Sequence, residues 1–165
     1  MNRLWAPWRT KYIAAPVGSD ACLFCKAVEV GVDRDSLVLV KNRFSLIMLN
    51  RYPYIGGHLM VVPLRHTGEL DELSDEEQLD LIHAVCQARA ALQCAFAPEG
   101  YNIGMNIGKS AGAGIVHHLH VHVVPRWHGD SNFMQAINDV RVISEGLQES
   151  YERLSAAITE CNRRN

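Results

Sequence analysis

One stretch of the chain reads His117-His118-Leu119-His120-Val121-His122-Val123-Val124-Pro125-Arg126-Trp127, and it holds four of the eight histidines. Polar and apolar residues alternate strictly over 118–124, which predicts a half-buried β-strand. Every second side chain then projects from the same face, at a spacing of about 6.7 Å. The histidine face comprises His118, His120 and His122, and the core face comprises Leu119, Val121 and Val123.

Three interpretations of this histidine face are open from spacing alone. Burying imidazoles without polar partners would cost free energy of folding, so the face must contact water, a metal, an anion or other polar groups. It can be a solvated edge strand. It can hold a metal through imidazoles at positions i and i+2. Alternatively, the middle imidazole is a nucleophile that attacks a phosphorus or acyl centre, while its neighbours bind the developing charge.

Cys22-Leu23-Phe24-Cys25 is a second candidate site. Its two-residue gap lets two thiolates bind one zinc ion, although a closed structural site needs two further ligands. A redox pair is the competing interpretation, but no thioredoxin-like βαβ pattern surrounds the motif.

A glycine-rich segment, Gly108-Lys109-Ser110-Ala111-Gly112-Ala113-Gly114, precedes the histidine strand. Unhindered backbone N–H groups can wrap an anion closely, and Lys109 adds positive charge. The segment is not a P-loop, because Ile103 occupies the position of the required earlier glycine and no helix follows. A flexible hairpin connection is the alternative interpretation.

Length and composition limit the possible functions. A chain of 165 residues with formal charge −2 predicts one domain, and it argues against a large nucleic-acid or anionic-membrane surface. The sequence shows neither a signal peptide nor an apolar run of membrane-spanning length, so we expect a cytoplasmic protein. An odd number of cysteines argues against a disulfide framework, and three are expected to be buried or incidental thiols: Cys86, Cys94 and Cys161.

The pattern along the chain predicts an α+β fold in which helices cover one face of an antiparallel sheet of about five strands. A capping box at Ser74 begins a long helix that ends before Pro98, and a second helix lies at the C-terminus. The expected strands span 36–40, 44–49, 58–62, 101–107 and 118–124. The expected contact residues of the helices are Ile82, Val85, Cys86, Leu92 and Phe96, then Leu147, Tyr151, Leu154 and Ile158. The single domain, 1–165, divides into an aromatic-rich arm (1–21), a core (22–127) and a C-terminal extension (128–165).

His118-Leu119-His120-Val121-His122-Val123-Val124 resembles the histidine triad (HIT) motif at all seven positions. The wider sequence is similar to the bacterial branch of this family that includes diadenosine tetraphosphate phosphorylases and fragile-histidine-triad hydrolases. Further shared segments are Leu4-Trp5-Ala6-Pro7-Trp8-Arg9, Cys22-Leu23-Phe24-Cys25, Gly57-His58-Leu59, Pro125-Arg126-Trp127 and Gly129-Asp130-Ser131-Asn132-Phe133.

The resemblance implies a homodimer with a continuous sheet, and a nucleotide or dinucleoside polyphosphate substrate attacked at its α-phosphate. It implies His120 as the nucleophile, without a catalytic metal, and His122 and His58 as supporting catalytic histidines. It places substrate contacts at Asn50 and Asn106, and the loop residues Gly108, Lys109, Gly112 and Gly114 are expected from their own chemistry to hold the phosphate. It also implies structural zinc held by Cys22, Cys25, His66 and His118.

One departure from the family pattern leaves the acceptor open. Relatives carry a polar pair shortly before the first triad histidine, whereas this chain has Ala113-Gly114-Ile115. Hydrolysis and phosphorolysis are therefore both possible. A nucleotide-binding protein without turnover is the main rival. A metal-dependent enzyme using His-x-His on a strand is a weaker one, because the sequence shows no glutamate and second histidine placed on neighbouring strands.

Overall fold

The structure is a computed structural model that describes residues 22–130 and 145–164. The N-terminal arm predicted at 1–21 and part of the C-terminal extension, 131–144, lie outside the described residues. Aromatic residues of such an arm are expected to pack in a core or at a subunit interface, and this expectation stays a prediction. No helix among the described residues is long and apolar enough to cross a bilayer.

A five-stranded antiparallel sheet forms the centre of the fold, as the sequence predicts. Its strands follow the order β1-β2-β3-β5-β4, and all neighbouring pairs are antiparallel. The strands are β1 (Val38–Lys41), β2 (Ser45–Leu49), β3 (Leu59–Pro63), β4 (Gly100–Met105) and β5 (Val121–Arg126). Every residue of β2 and β3 is buried, so both faces of the central sheet are covered.

Helices cover both faces, which corrects the prediction that they lie on one. The long helix α2 (Asp75–Phe96) and the C-terminal helix α3 (Leu147–Arg164) pack on one face around the main core. A short helix that the sequence analysis missed, α1 (Leu23–Val30), covers the other. It buries Phe24 and Ala27 in a smaller apolar cluster with Val38, Leu46, Met48, Met60 and Val62. The short CxxC segment gave little helical periodicity to detect.

The predicted capping box of α2 is confirmed, because Ser74 accepts from the Glu77 N–H and the Glu77 carboxylate accepts from the Ser74 N–H. The predicted contact face is partly wrong. Ile82 is 55 % exposed and Cys86 is also exposed. Small side chains make much of the contact instead, and the buried apolar residues are Leu81, Ala84, Val85, Ala88, Ala91 and Leu92. Alanine lets the helix approach the sheet closely, which a search for large apolar residues does not reveal.

The C-terminal helix packs as expected, with Tyr151 and Leu154 buried in the main core. All five cysteines are free thiols, in agreement with the prediction against a disulfide framework. Cys86 and Cys94 are exposed on α2, and Cys161 is partly exposed on α3.

The histidine segment forms a shorter strand than predicted. β5 begins at Val121, so His118 and His120 precede the hydrogen-bonded ladder. The reason is a competing contact with the loop after β3, since the Leu119 N–H donates to the Thr67 carbonyl at 2.6 Å. The predicted alternation still holds in the burial pattern, because the main core contains Leu119, Val121 and Val123.

Gly57 fixes the turn that leads into β3 and therefore places His58. Its φ of +78° lies in the left-handed region, and an added Cβ would come within 3.1 Å of the Phe96 ring. Its neighbour Gly56 has neither restriction, since nothing lies within 4 Å of a Cβ added there. These two adjacent glycines therefore form a matched pair for testing the turn.

Gly57→Ala is expected to destabilise the protein, because left-handed backbone costs a residue with a Cβ about 1–2 kcal/mol and the new methyl group crowds α2. Denaturant unfolding of both variants measures this. Gly56→Ala should unfold close to the wild type. Equal stability of the two variants would show that the turn does not require glycine at position 57.

Candidate active site and metal centre

Four side chains from separate parts of the chain converge at the start of α1. Cys22 and Cys25 lie at its N-terminal end, His66 follows β3, and His118 precedes β5. Their ligand atoms all lie within 4.8 Å of one another. Cys22 Sγ is 3.3 Å from His118 Nδ1, and Cys25 Sγ is 3.1 Å from His66 Nδ1 and 3.7 Å from His118 Nδ1. The structure thus brings together all four residues predicted as metal ligands.

The donor set fits a tetrahedral metal ion. Typical zinc bond lengths place a sulfur and a nitrogen ligand roughly 3.6 Å apart, within the range seen here. His118 Nε2 donates to the Pro63 carbonyl at 2.9 Å, which leaves a lone pair on Nδ1 toward the two thiols. Such a second hydrogen bond commonly orients a metal-binding imidazole. The cluster can therefore hold one metal ion.

The two thiols also suit a cation electrostatically. Burial raises the pKa of the Cys25 thiol, and hydrogen bonding and charge from Cys22 raise it further. Two adjacent thiolates repel each other unless a positive charge lies between them. Metal binding at this cluster is therefore expected to release protons.

His120 lies beside this cluster with its proton position fixed by the backbone. Its Nδ1 is 2.9 Å from the His118 carbonyl, which can only accept, so Nδ1 carries the proton. Burial lowers the pKa of His120, although the same backbone hydrogen bond acts in the opposite direction. The side chain is therefore held as neutral imidazole with an unprotonated Nε2, which is the form required of a nucleophile.

His58 and His122 form a second pair whose protons can be placed in the same way. The Tyr54 N–H donates to His58 Nδ1 at 3.1 Å, so neutral His58 carries its proton on Nε2. His58 Nε2 lies 3.0 Å from His122 Nδ1, which must then accept. Neutral His122 consequently presents an Nε2–H. His120 and His122 thus offer opposite functions, a lone pair on the first and a proton on the second.

The three predicted catalytic histidines lie together. The ring centroids of His120 and His122 are 5.0 Å apart, and those of His58 and His122 are 5.1 Å apart. His58 is fully buried, so it reaches a substrate only through His122. It positions the third triad histidine and sets its tautomer.

Asn50 contacts the histidine cluster, but its side chain is engaged within the protein. Its Nδ2 lies 3.4 Å from His58 Nδ1, and its Oδ1 accepts from the Tyr52 N–H at 3.0 Å. The predicted ribose contact would have to share these groups. Asn50 therefore holds His58 in this structure, and its substrate role stays a prediction.

The glycine-rich loop leaves the sheet next to the triad. In the β4–β5 ladder Gly104 pairs with His122 and Met105 with Val121, so the following residue, Asn106, continues toward the level of His120. The loop then forms a 3-10 turn, Lys109–Ala111, between two glycines with positive φ, Gly108 at +79° and Gly112 at +88°. The Gly112 N–H donates to the Lys109 carbonyl, while Lys109 and Gly114 are exposed. This position agrees with the predicted phosphate contacts without testing them.

Two residues of this region escaped sequence analysis. Phe24 packs against His118 and His120, and Tyr54 packs against His58 and His122. The sequence did not indicate a role for either aromatic residue. Phe24 lies in a motif that was interpreted through its cysteines, and Tyr54 lies in a loop without periodicity. Flanking by functional residues was the only available signal for either one.

Comparison with known proteins identifies the family of this chain. The HIT domain model matches residues 32–129. The chain belongs to the HIT family. AP-4-A phosphorylase from Mycobacterium tuberculosis is 39 % identical over 163 residues, covering 94 % of this chain and 83 % of the relative. The asymmetrical bis(5'-nucleosyl)-tetraphosphatase of Schizosaccharomyces pombe is 33 % identical over 95 residues, covering 58 % of this chain and 52 % of that protein.

The fold is also that of solved HIT proteins. A zinc-bound histidine triad family protein from Mycobacterium smegmatis superimposes with a TM-score of 0.73 and 26 % identity, covering 90 % of this chain and all of that structure. The predicted family and fold are confirmed. The predicted enzyme class agrees with the names of these relatives, one a phosphorylase and one a tetraphosphatase.

Cys25→Ser is expected to remove most of the bound metal, because it deletes one of four ligands. Elemental analysis of protein purified without added metal should give about one ion per chain for the wild type and much less for the variant. Structural zinc can contribute on the order of 10 kcal/mol, so a large fall in the melting temperature should accompany the loss. Cys86→Ser, which changes an exposed thiol on α2, is the matched control. Metal-free wild-type protein would contradict this assignment.

Proposed function

We propose that this protein is a nucleotidyl hydrolase or phosphorylase that acts on the α-phosphate of dinucleoside polyphosphates, such as diadenosine tetraphosphate. The observation that carries the proposal is the opposite proton placement on neighbouring imidazoles. His120 offers an unprotonated Nε2, and His122 offers an Nε2–H. The similarity to AP-4-A phosphorylase supports the substrate class.

In the first step, the lone pair of His120 Nε2 attacks the α-phosphorus. A P–N bond forms and the bond from phosphorus to the bridging oxygen breaks, which yields a nucleotidyl-histidine and a shortened nucleotide. The proton stays on His120 Nδ1 and is donated in a hydrogen bond to the His118 carbonyl, which stabilises the cationic imidazole that forms. His122 donates its Nε2–H toward the departing or non-bridging phosphate oxygen.

In the second step, water or inorganic phosphate attacks the same phosphorus from the side vacated by the leaving group. The P–N bond breaks and His120 Nε2 regains its lone pair. If His122 has given up its proton, it accepts the proton of the attacking group and returns to its starting form. Asn106 and the Gly108–Gly114 backbone are proposed to hold the phosphate oxygens through both steps. The segment Ala113-Gly114-Ile115 lacks hydroxyl and amide side chains, so the residues leave the choice of acceptor open.

We assign the metal cluster to a structural zinc ion held by Cys22, Cys25, His66 and His118. All four protein ligands would fill a tetrahedral shell, which leaves no open position for substrate. When bound, zinc would supply a fixed crosslink and no acid–base chemistry. A reducing cytoplasmic compartment, which we propose for this protein, would keep both thiols available.

We further propose a homodimer formed through the β4 edge. β4 lies at the end of the sheet, and no strand in the described part of the chain pairs with its outer side. Ile103 on this strand is 47 % exposed and Ile107 just beyond it is 39 % exposed. An apolar edge of this kind favours pairing with another strand. Light scattering should report twice the monomer mass of 18.4 kDa, and a monomer at micromolar concentration would contradict the proposal.

The direct test of the activity is chromatography of products from diadenosine tetraphosphate, with and without inorganic phosphate. A hydrolase that attacks the α-phosphorus gives AMP and ATP in both conditions, whereas two ADP would show attack at another phosphorus and contradict the proposed step. A phosphorylase gives ADP and ATP only when phosphate is present. Tight binding with no product in either condition would favour the non-catalytic nucleotide-binding alternative and contradict the proposed activity.

His120→Ala is expected to lower turnover by at least about 10³-fold, because the nucleophile acts on the chemical step, while nucleotide affinity is largely kept. His122→Asn should cost less, because it removes a proton donor and leaves the nucleophile in place. Mass spectrometry with a slow substrate analogue should locate an acid-labile nucleotidyl adduct on His120. His83→Ala, which changes an exposed histidine on α2, is the matched control. An adduct on another residue would overturn the assignment.

A further inference from the structure

Phe24 lies between the two cysteines of the metal cluster and is 1 % exposed. Its ring contacts two histidines that have different proposed roles. The ring centroid is 5.3 Å from that of His118, a metal-cluster residue, and 5.0 Å from that of His120, the proposed nucleophile. One side chain therefore contacts both the metal centre and the reacting imidazole.

His120 depends on this neighbourhood for its orientation. One ring nitrogen is held by the His118 carbonyl at 2.9 Å, and one side of the ring packs on Phe24. The first contact belongs to a residue whose own imidazole lies in the cluster. The second belongs to a residue whose neighbours on the chain include both cysteines. These two contacts thus arise from the part of the chain that the metal would hold, whereas a third, with the His122 ring at 5.0 Å, does not.

The helix that carries Phe24 has few other attachments. α1 has eight residues, lacks a side-chain cap at its N-terminus and buries only Phe24 and Ala27. A helix of this length is not stable by itself and depends on tertiary contacts. The cysteines at its start are therefore a principal attachment, and ligation would fix the ring that lies between them.

We propose that Phe24 is a positioning residue through which occupation of the metal cluster sets the orientation of the His120 ring. The metal then acts at a distance on catalysis as well as on stability, without contacting substrate. This inference rests on the proposed role of His120. Misplacing a reacting group by about 1 Å can cost roughly a hundredfold in rate, so a small shift of the Phe24 ring is sufficient for a measurable effect.

The first experiment does not depend on turnover. The ring C–H resonances of His120 are followed by NMR in the metal-loaded wild type, after stripping with a chelator and after restoring the metal. We expect them to shift on stripping and to return on reloading, because the ring current of Phe24, whose centroid is 5.0 Å from that of His120, changes when the two rings move relative to each other. Unchanged His120 resonances in folded, stripped protein would overturn the coupling, whatever reaction the protein catalyses.

The second experiment compares metal-loaded Phe24→Leu with Leu46→Val. Leu46 lies in the same apolar cluster but on β2, which is two strands away from β5. For Phe24→Leu we expect kcat to fall about tenfold or more, with KM within about threefold of the wild type. Leu46→Val should keep the wild-type kcat.

Metal retention gives a second measurement, because the buried Phe24 side chain lies between Cys22 and Cys25 and its packing helps to hold both ligands in place. Phe24→Leu should lose metal to a competing chelator several-fold more readily than the wild type, whereas Leu46→Val should not. An unchanged kcat and unchanged metal retention in Phe24→Leu would overturn the proposal. So would a raised KM at constant kcat, which would make Phe24 a substrate contact, or equal losses in both variants, which would indicate general destabilisation.

Discussion

The site depends on a set of hydrogen bonds between imidazole rings and the backbone. A carbonyl can only accept and an N–H can only donate, so each such bond decides which ring nitrogen carries a proton. The Pro63 carbonyl does this for His118, the His118 carbonyl for His120, and the Tyr54 N–H for His58 and, through it, His122. The fold thereby places the ring protons of chemically identical side chains differently, as the proposed roles of metal ligand, nucleophile and proton donor require.

These backbone groups are available because the histidine segment joins the sheet only at Val121. His118 and His120 precede β5, so their carbonyl and N–H groups are not all committed to ladder bonds. The loop after β3 holds the segment instead, because the Leu119 N–H donates to the Thr67 carbonyl. Gly68 in this loop permits the close approach of the two segments, since a Cβ there would lie 2.4 Å from the Val116 carbonyl oxygen. A longer regular strand would have given alternating histidines without this arrangement.

Much of this architecture is predictable from local patterns. Alternation identified the core face of the histidine segment, the capping box identified the start of α2, and the triad motif identified the family. The four-residue cluster was predicted only through resemblance, because its members lie far apart in sequence and meet through tertiary packing. The contacts of Phe24, Tyr54 and the Pro63 carbonyl could not be predicted, since they depend on the placement of α1 and two loops. Small side chains hid the true contact face of α2, where Ala84 and Ala88 are fully buried.

The proposed function requires opposite tautomers on His120 and His122. The most direct measurement is ¹⁵N NMR of the histidine rings in metal-loaded, nucleotide-free protein near neutral pH, with assignments from single histidine variants. We expect a protonated Nδ1 and an unprotonated Nε2 on His120, and the reverse on His122. An Nε2-protonated His120, or a rapidly exchanging mixture of both tautomers on either ring, would contradict it.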